Sequence, residues 1–286
     1  MKPIIVKAKD TSSYGRIEEA YDSQKVKETT ELQIDGIVRD KTIGLLMLAV
    51  FGALNTSGST IYTHAFTLAN TNTHTTFSLW GVTSVATYSS TYAMLDELTL
   101  TCEAGDYVKY SAMFKGKKMV SDTPPAVSFL TDNEFLGKHV TLKFADTEGG
   151  LAGATAVEVE RVELTINKNL LDFQALGSDD IDSIYNQQFT IAGNFEAVFE
   201  NETFLDYVLD DSKKFMLLSI INTDVDYDSA DYPTITFTFG KVSFDEWDKS
   251  TDNNGIVKQT IGFEAQFNNA EGYLIEGSLQ NQVASY

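Results

Sequence analysis

A mainly β chain is predicted, built as two tandem β-sandwich or barrel domains with one flanking α-helix apiece. Three observations carry this expectation. Apolar side chains recur at every second position along several stretches, the period of a half-buried strand. Only two segments have helical spacing. The sequence also matches itself when shifted by 161 positions, as a repeated structural unit would.

The self-match begins at Ile34 and Val38, which fall on Phe195 and Phe199. It continues with Asp40-Lys41-Thr42-Ile43 on Asn201-Glu202-Thr203-Phe204. At the same shift, Leu100 meets Ile261, Glu103-Ala104 meets Glu264-Ala265, and Gly116 meets Gly277. Strand phase supports the pairing. Leu32, Ile34 and Val38 keep one parity, as do Phe189, Ile191, Phe195, Ala197 and Phe199. A second alternating pair of stretches is Leu98, Leu100, Cys102, Ala104 and Ile261, Phe263, Ala265, Phe267.

Each copy then turns helical. Asp40 and Asn201 stand where N-caps belong, since their side chains accept free backbone N–H groups. The first helix spaces Ile43, Leu46, Met47, Val50 and Leu54 on one face, and the second spaces Phe204, Tyr207 and Val208. Helix one carries further apolar residues, Leu45, Leu48 and Phe51, on its other side. Leaving them in water costs roughly 25 cal/mol per Å², so they are predicted to meet another subunit or domain; the alternative is a helix sunk deep in its own domain.

Residues 121–153 separate the copies. They contain Pro124-Pro125, an alternating strand at 140–145 and a Glu148-Gly149-Gly150 turn, which together read as a linker that also supplies a hairpin. The apolar phase switches from odd (Val157, Val159) to even (Val162, Leu164, Ile166), as at a bulge. The expected division is residues 1–120, a linker at 121–155, and residues 156–286.

Composition excludes several functions. At 43% hydrophobic, the 286 residues can bury a sizeable core. Against 41 Asp and Glu there are only 21 Lys and Arg, a net charge of −20; such a surface repels phosphates and anionic membranes. Lys115, Lys117 and Lys118 form the one basic run and read as a solvated turn. The longest apolar stretch, residues 43–54, is too short to span a bilayer. With Cys102 as the single cysteine, no intramolecular disulfide is possible, and a reducing compartment is expected.

No chemistry-bearing motif emerges. His64, His74 and His139 lack Cys or His partners at ligand spacing. His64 alternates with its neighbours as a sheet residue, and Cys102 shares the inward parity of Leu98 and Leu100. Asp224-x-Asp226-x-Asp228 has Ser229 where a calcium loop needs Gly and Ile235 where it needs Glu. No catalytic residue, metal or cofactor is therefore assigned, and the chain is not expected to be an enzyme.

These residues resemble the internally duplicated tail tube proteins of long-tailed siphophages. The likeness runs from the strand and apolar helix of residues 32–53, ending Phe-Gly-Ala, to the closing strands at Phe263-Glu264-Ala265 and Ser278-Leu279-Gln280-Asn281. Between them lie Tyr62-Thr63-His64-Ala65-Phe66, the hairpin Leu98-Thr99-Leu100 with Glu103-Ala104-Gly105, and residues 163–170. The chain departs from that pattern in a shortened run between Asp35 and Asp40 and in the acidic loop 224–231.

The resemblance implies a structural virion protein that polymerises into stacked rings, the conduit for DNA ejection. Six domains with about four strands each imply a barrel of ~24 strands, a radius of about 26 Å and a lumen near 40 Å, which admits a duplex about 20 Å wide. Three chains would complete such a ring with pseudo-sixfold symmetry; a hexamer of chains is the alternative. The implied partners are further copies of itself, a tape measure protein, and tail terminator and baseplate proteins, with DNA passing unbound and no membrane. The implied location is the virion tail, after assembly in the host cytoplasm. Leu45, Leu48 and Phe51 become candidate subunit contacts. Asp35 and Glu196, next to inward-phased Ile34 and Phe195, become candidate lumen carboxylates. A neck or baseplate ring of the same fold, and a carbohydrate- or receptor-binding β-sandwich, remain open.

Overall fold

The computed structural model describes residues 1–12, 15, 17, 22–250 and 255–286. The first half runs β1 (Lys2–Asp10), β2 (Asp22–Ile37), α1 (Ile43–Phe51), β3 (Gly52–Gly58), β4 (Tyr62–Leu68), β5 (Phe77–Val82), β6 (Thr87–Glu103), β7 (Lys109–Gly116) and β8 (Val120–Ser121). A connecting hairpin follows, β9 (Val140–Ala145) and β10 (Ala156–Val157). The second half comprises β11 (Val159–Asn167), β12 (Leu171–Phe173), β13 (Ser183–Tyr185), β14 (Thr190–Val198), α2 (Thr203–Leu209), β15 (Lys213–Ile221), β16 (Thr234–Lys249), β17 (Lys258–Ala265) and β18 (Ile275–Asn281).

The long strands β6 and β16 each serve two layers. The start of β6 pairs with β5 and β8, and its remainder with β7 and β11. Likewise the start of β16 pairs with β15 and β18, and its end with β17. A strand can change partners this way where an extra residue bends it. Both have that irregularity, between Leu95 and Glu97 in β6 and between Phe244 and Glu246 in β16. The result is one antiparallel inner sheet in the order β1-β2-β7-β6-β11-β14-β17-β16, shared by both halves. A second layer, β9-β15-β16-β18-β4-β3, covers it. The fold is thus mainly β and sandwich-like.

Register reveals how the halves correspond. Ile34 pairs with Ala112, and Ala112 with Leu98. In the second half Phe195 pairs with Ile261, and Ile261 with Trp247. The 161-residue shift therefore holds for β2 and β14. Beyond the helices it shortens to 149, so Ala112, not Leu100, is the counterpart of Ile261. The expected matches of Leu100 with Ile261, Glu103-Ala104 with Glu264-Ala265, and Gly116 with Gly277 are corrected accordingly. The β3–β4 hairpin is the reason: it follows α1 and has no counterpart after α2, so the spacing changes between the helix and the long strand.

Both helix starts also differ from expectation. Thr42 caps α1 without a side-chain bond. Asp40 is buried instead and accepts from Asn133 N (2.9 Å), Asn133 Nδ2 (2.7 Å) and the Tyr227 hydroxyl. Partners from distant loops satisfy a carboxylate that water no longer reaches, which outweighs a local cap. Asn201 Oδ1 accepts from Thr203 N at 3.0 Å, ahead of Glu202, the N-cap of α2. Gly52, at φ 79°, ends α1 at Phe51 rather than Leu54, and its N–H bonds to Leu48 O. The next two carbonyls are also met, Ala49 O by Lys168 Nζ (3.0 Å) and Val50 O by His74 Nδ1 (3.0 Å).

Between the layers lies the main core, containing Met47, Val50, Phe51, Leu98, Cys102, Phe195, Phe237 and Phe263, and a smaller cluster gathers Met94, Leu170, Ile181 and Ile184. Each fully buried Leu or Phe contributes about 1.5–3 kcal/mol relative to exposure. Cys102 is among them, its thiol pushed up to about 12 by burial. The odd-to-even phase switch falls at an irregularity between Val159 and Arg161, opposite β14.

Candidate assembly surface and lumen face

One face of the inner sheet packs on the core; the other is polar. Side-chain alternation puts Asp35, Ser111, Thr99, Thr165, Ala192 and Glu264 in one transverse row on that polar face. Asp35 is exposed, and hydrogen bonds from Ser111 and Gln33 hold its carboxyl below the usual carboxylate range. Glu196 lies on the same face, half-buried and paired with Lys258 Nζ at 2.9 Å. The two candidates therefore share a face and are structural counterparts, since Asp35 pairs with Ser111 as Glu196 pairs with Thr260.

The face is acidic as a whole. Glu31, Asp35, Glu97, Glu103, Glu163, Glu196, Glu246, Asp248 and Glu264 lie on it against Lys2, Lys27, Lys109, Lys115, Arg161 and Lys258. All but Lys2, at the sheet's end, are already engaged among the described residues: Lys27 with Asp172, Lys109 with Asp106 (2.5 Å), Lys115 with Asp96 (2.7 Å), Arg161 with Glu163 (2.6 Å), and Lys258 with Glu160 (2.6 Å) and Glu196. Asp35, Glu103, Glu246, Asp248 and Glu264 form no ion pair among the described residues. A passing polyanion would meet uncompensated carboxylate there and no cluster of free cations, so counterion-release binding has nothing to act through.

The helix-one residues separate. Leu45 is 46% exposed and Leu48 is half-buried. Phe51 is not a surface residue: at 0% exposure it packs against Phe66 and Phe237. Ridge spacing on an ideal helix suggests a second apolar face, but β3, β4 and β18 close over this side of α1. The basic run is also corrected. Lys115 bonds Asp96 (2.7 Å), Lys118 reaches Asp179 (3.7 Å), and Lys117 lies over the Tyr92 ring. Lys115 belongs to β7, so the run is a paired strand end rather than a solvated turn. In the acidic loop, Asp224 pairs with Lys138 (2.6 Å) and His139 (3.2 Å).

Sequence reasoning missed the ends of the inner sheet. β1 pairs only with β2, so its outer edge is open among the described residues. At the other end, residues 245–249 of β16 pair only with β17 among the described residues. The open β1 edge carries Lys2, Lys7 and Lys9 against Asp10, and the open β16 edge carries Asp245, Glu246 and Asp248 against Lys249, so the two ends have opposite net charge. Lysines concentrated near the start of so acidic a chain were the available signal.

A sandwich whose inner sheet ends on two open strands of opposite charge, with an acidic outer face, defines a self-associating structural protein. The family described as phage tail tube protein matches residues 10–265, and the chain belongs to that family. No curated protein matches it. It is a structural tail tube protein, a component of the virion tail that assembles with itself into a tube.

Proposed function

We propose that three chains close into one ring with pseudo-sixfold symmetry, that rings stack, and that the acidic sheet face lines the bore through which DNA leaves. The observation that carries this reading is the continuous inner sheet. Each chain supplies two repeats of four strands, and closing the sheet on neighbours removes edges that would otherwise pair indiscriminately. The two repeats act as the domains 1–120 and 156–286, joined by 121–155. Asp35 and Glu196 are lumen carboxylates, and at −20 per chain a ring carries about −60, which keeps a duplex off the wall. The protein has no catalytic role. Its other partners are the tape measure protein, which the growing tube surrounds, and the terminator and baseplate proteins at its ends, with assembly in the host cytoplasm.

Leu45, with Leu48 beside it, is a contact between subunits. Leu45→Asp with Leu48→Asp should leave a soluble protomer that no longer forms tubes in negative-stain micrographs. A rotational average of wild-type tubes tests the stoichiometry. Three chains per ring are expected; six chains, or single unstacked rings as a neck or baseplate protein would give, overturn it.

A further inference from the structure

The chain contains one junction between its two repeats, where β6 meets β11. Leu98 pairs there with Ile166, Thr99 with Thr165 and Glu97 with Asn167. Thr99 Oγ1 and Thr165 Oγ1 stand 3.1 Å apart across it. Register relates each side of this junction to an open edge. Leu98 corresponds to Trp247, because both pair with equivalent residues of β7 and β17, Ala112 and Ile261. Ile166 corresponds to Pro3, because Ile166 pairs with Ile191, Pro3 pairs with Thr30, and Thr30 and Ile191 are separated by the same 161 positions as Ile34 and Phe195.

Resting on the ring reading above, we infer that β16 of one chain pairs antiparallel with β1 of a second copy in the register of the internal junction: Trp247 opposite Pro3, Asp248 opposite Lys2, and Glu246 opposite Ile4. Three observations converge on it. Strand direction is right, since successive strands of the inner sheet alternate and eight of them leave β16 and β1 of a neighbour antiparallel. Face parity is right, because Asp248 lies on the polar face and Lys2, opposite Glu31, lies on that face too. Charge is complementary, with Asp248 meeting Lys2 where the internal junction has two threonines. Pro3, lacking a donor, blunts the free edge against other partners.

Closure requires the same stagger at every junction. Following paired residues from Ile34 through Ala112, Leu98 and Ile166 leads to Ile191, the counterpart of Thr30. The stagger is thus four residues per repeat, and six repeats give a shear of about 24 on ~24 strands. Equal shear and strand number correspond to a tilt near 36°. At ~4.8 Å between strands the barrel radius is then about 23 Å, and side chains leave a bore of roughly 35 Å.

The test uses assembled tubes of the full chain. Directly opposed residues lie about 5 Å apart at Cα, within disulfide reach, whereas an offset of two residues does not. Lys2→Cys with Asp248→Cys should oxidise to covalent rings of three chains on a non-reducing gel. Lys2→Cys with Glu246→Cys should stay monomeric. Buried Cys102 gives no background. If tubes form but only the offset pair crosslinks, or neither does, the register is wrong while the ring stands. If wild-type protein forms neither rings nor tubes, the ring reading itself fails. Should the cysteine variants not assemble, charge reversal decides: Asp248→Lys or Lys2→Asp should each raise the assembly threshold about tenfold, and the two together should restore it. A double variant no better than either single one refutes the pairing.

Discussion

The two helices occupy equivalent places in the two halves and have different fates. α1 has nine residues, six of them buried, Ile43, Gly44, Met47, Ala49, Val50 and Phe51. α2 has seven residues and none is buried. The difference follows from the β3–β4 hairpin. It covers α1 and pairs with β18 of the second half, whereas α2 contacts chiefly β16. On α2 a half-buried aromatic group stands in for depth, with Phe204 against Phe195 (5.1 Å) and Phe144 (5.9 Å), while Leu209 remains 72% exposed. A repeat can keep its strand register and still change the packing of its helix, because register is set by the sheet and burial by whatever is laid over it.

The contrast is most easily broken at its centre. Phe51→Ala should cost about 3–5 kcal/mol, and Phe204→Ala about 1–3 kcal/mol, read as shifts in urea midpoint; equal losses would mean the helices are equally embedded. Lys168, 1% exposed and pushed down to about 7 by burial despite the nearby charge of Asp96, ties the end of α1 to the second half. Its folded value lies below its unfolded one, so the unfolded chain binds the extra proton between about pH 7 and 10.5. Stability from this group therefore rises with pH through that window. Lys168→Met should stabilise the fold at pH 7 by about 1–2 kcal/mol, a gain that shrinks by pH 10; a pH-independent effect would refute the buried charge.

Smaller effects sharpen the comparison at the helix ends. Gly52 has φ 79°, and a Cβ there would lie 2.7 Å from the His74 ring. Gly52→Ala should cost about 1–2 kcal/mol in denaturant titration. After α2 the equivalent left-handed position, at φ 51°, is Asp211 rather than Gly. Asp211→Gly should therefore stabilise by about 0.5–1 kcal/mol in the same titration, because its ion pair with Lys213 is solvent-exposed and contributes little.

Much of this was legible before any coordinates. Strand parity identified the inward set around Ile34 and Phe195, the phase switch at residue 160, and the connecting hairpin, since each depends on near neighbours. Asp35 and Glu196 were matched correctly because no insertion separates them from the start of the repeat. Helical spacing alone places Phe51 on an outer face, whereas the structure buries it, because the hairpin that covers it lies beyond the helix and pairs with a strand over 200 residues away. The later repeat matches failed for the same cause, an insertion that preserves parity while moving register.

By itself, then, the amino-acid order determined the β class, the recurring strand pattern around Ile34 and Phe195, the acidic balance and which face of each strand turns inward. All of these are properties of composition and local period. The tertiary structure decided which strands neighbour one another, which helix is sealed, and that the inner sheet ends in two oppositely charged open edges. Those outcomes depend on pairings between distant segments, whose energies come from packing and hydrogen bonds that no local pattern encodes.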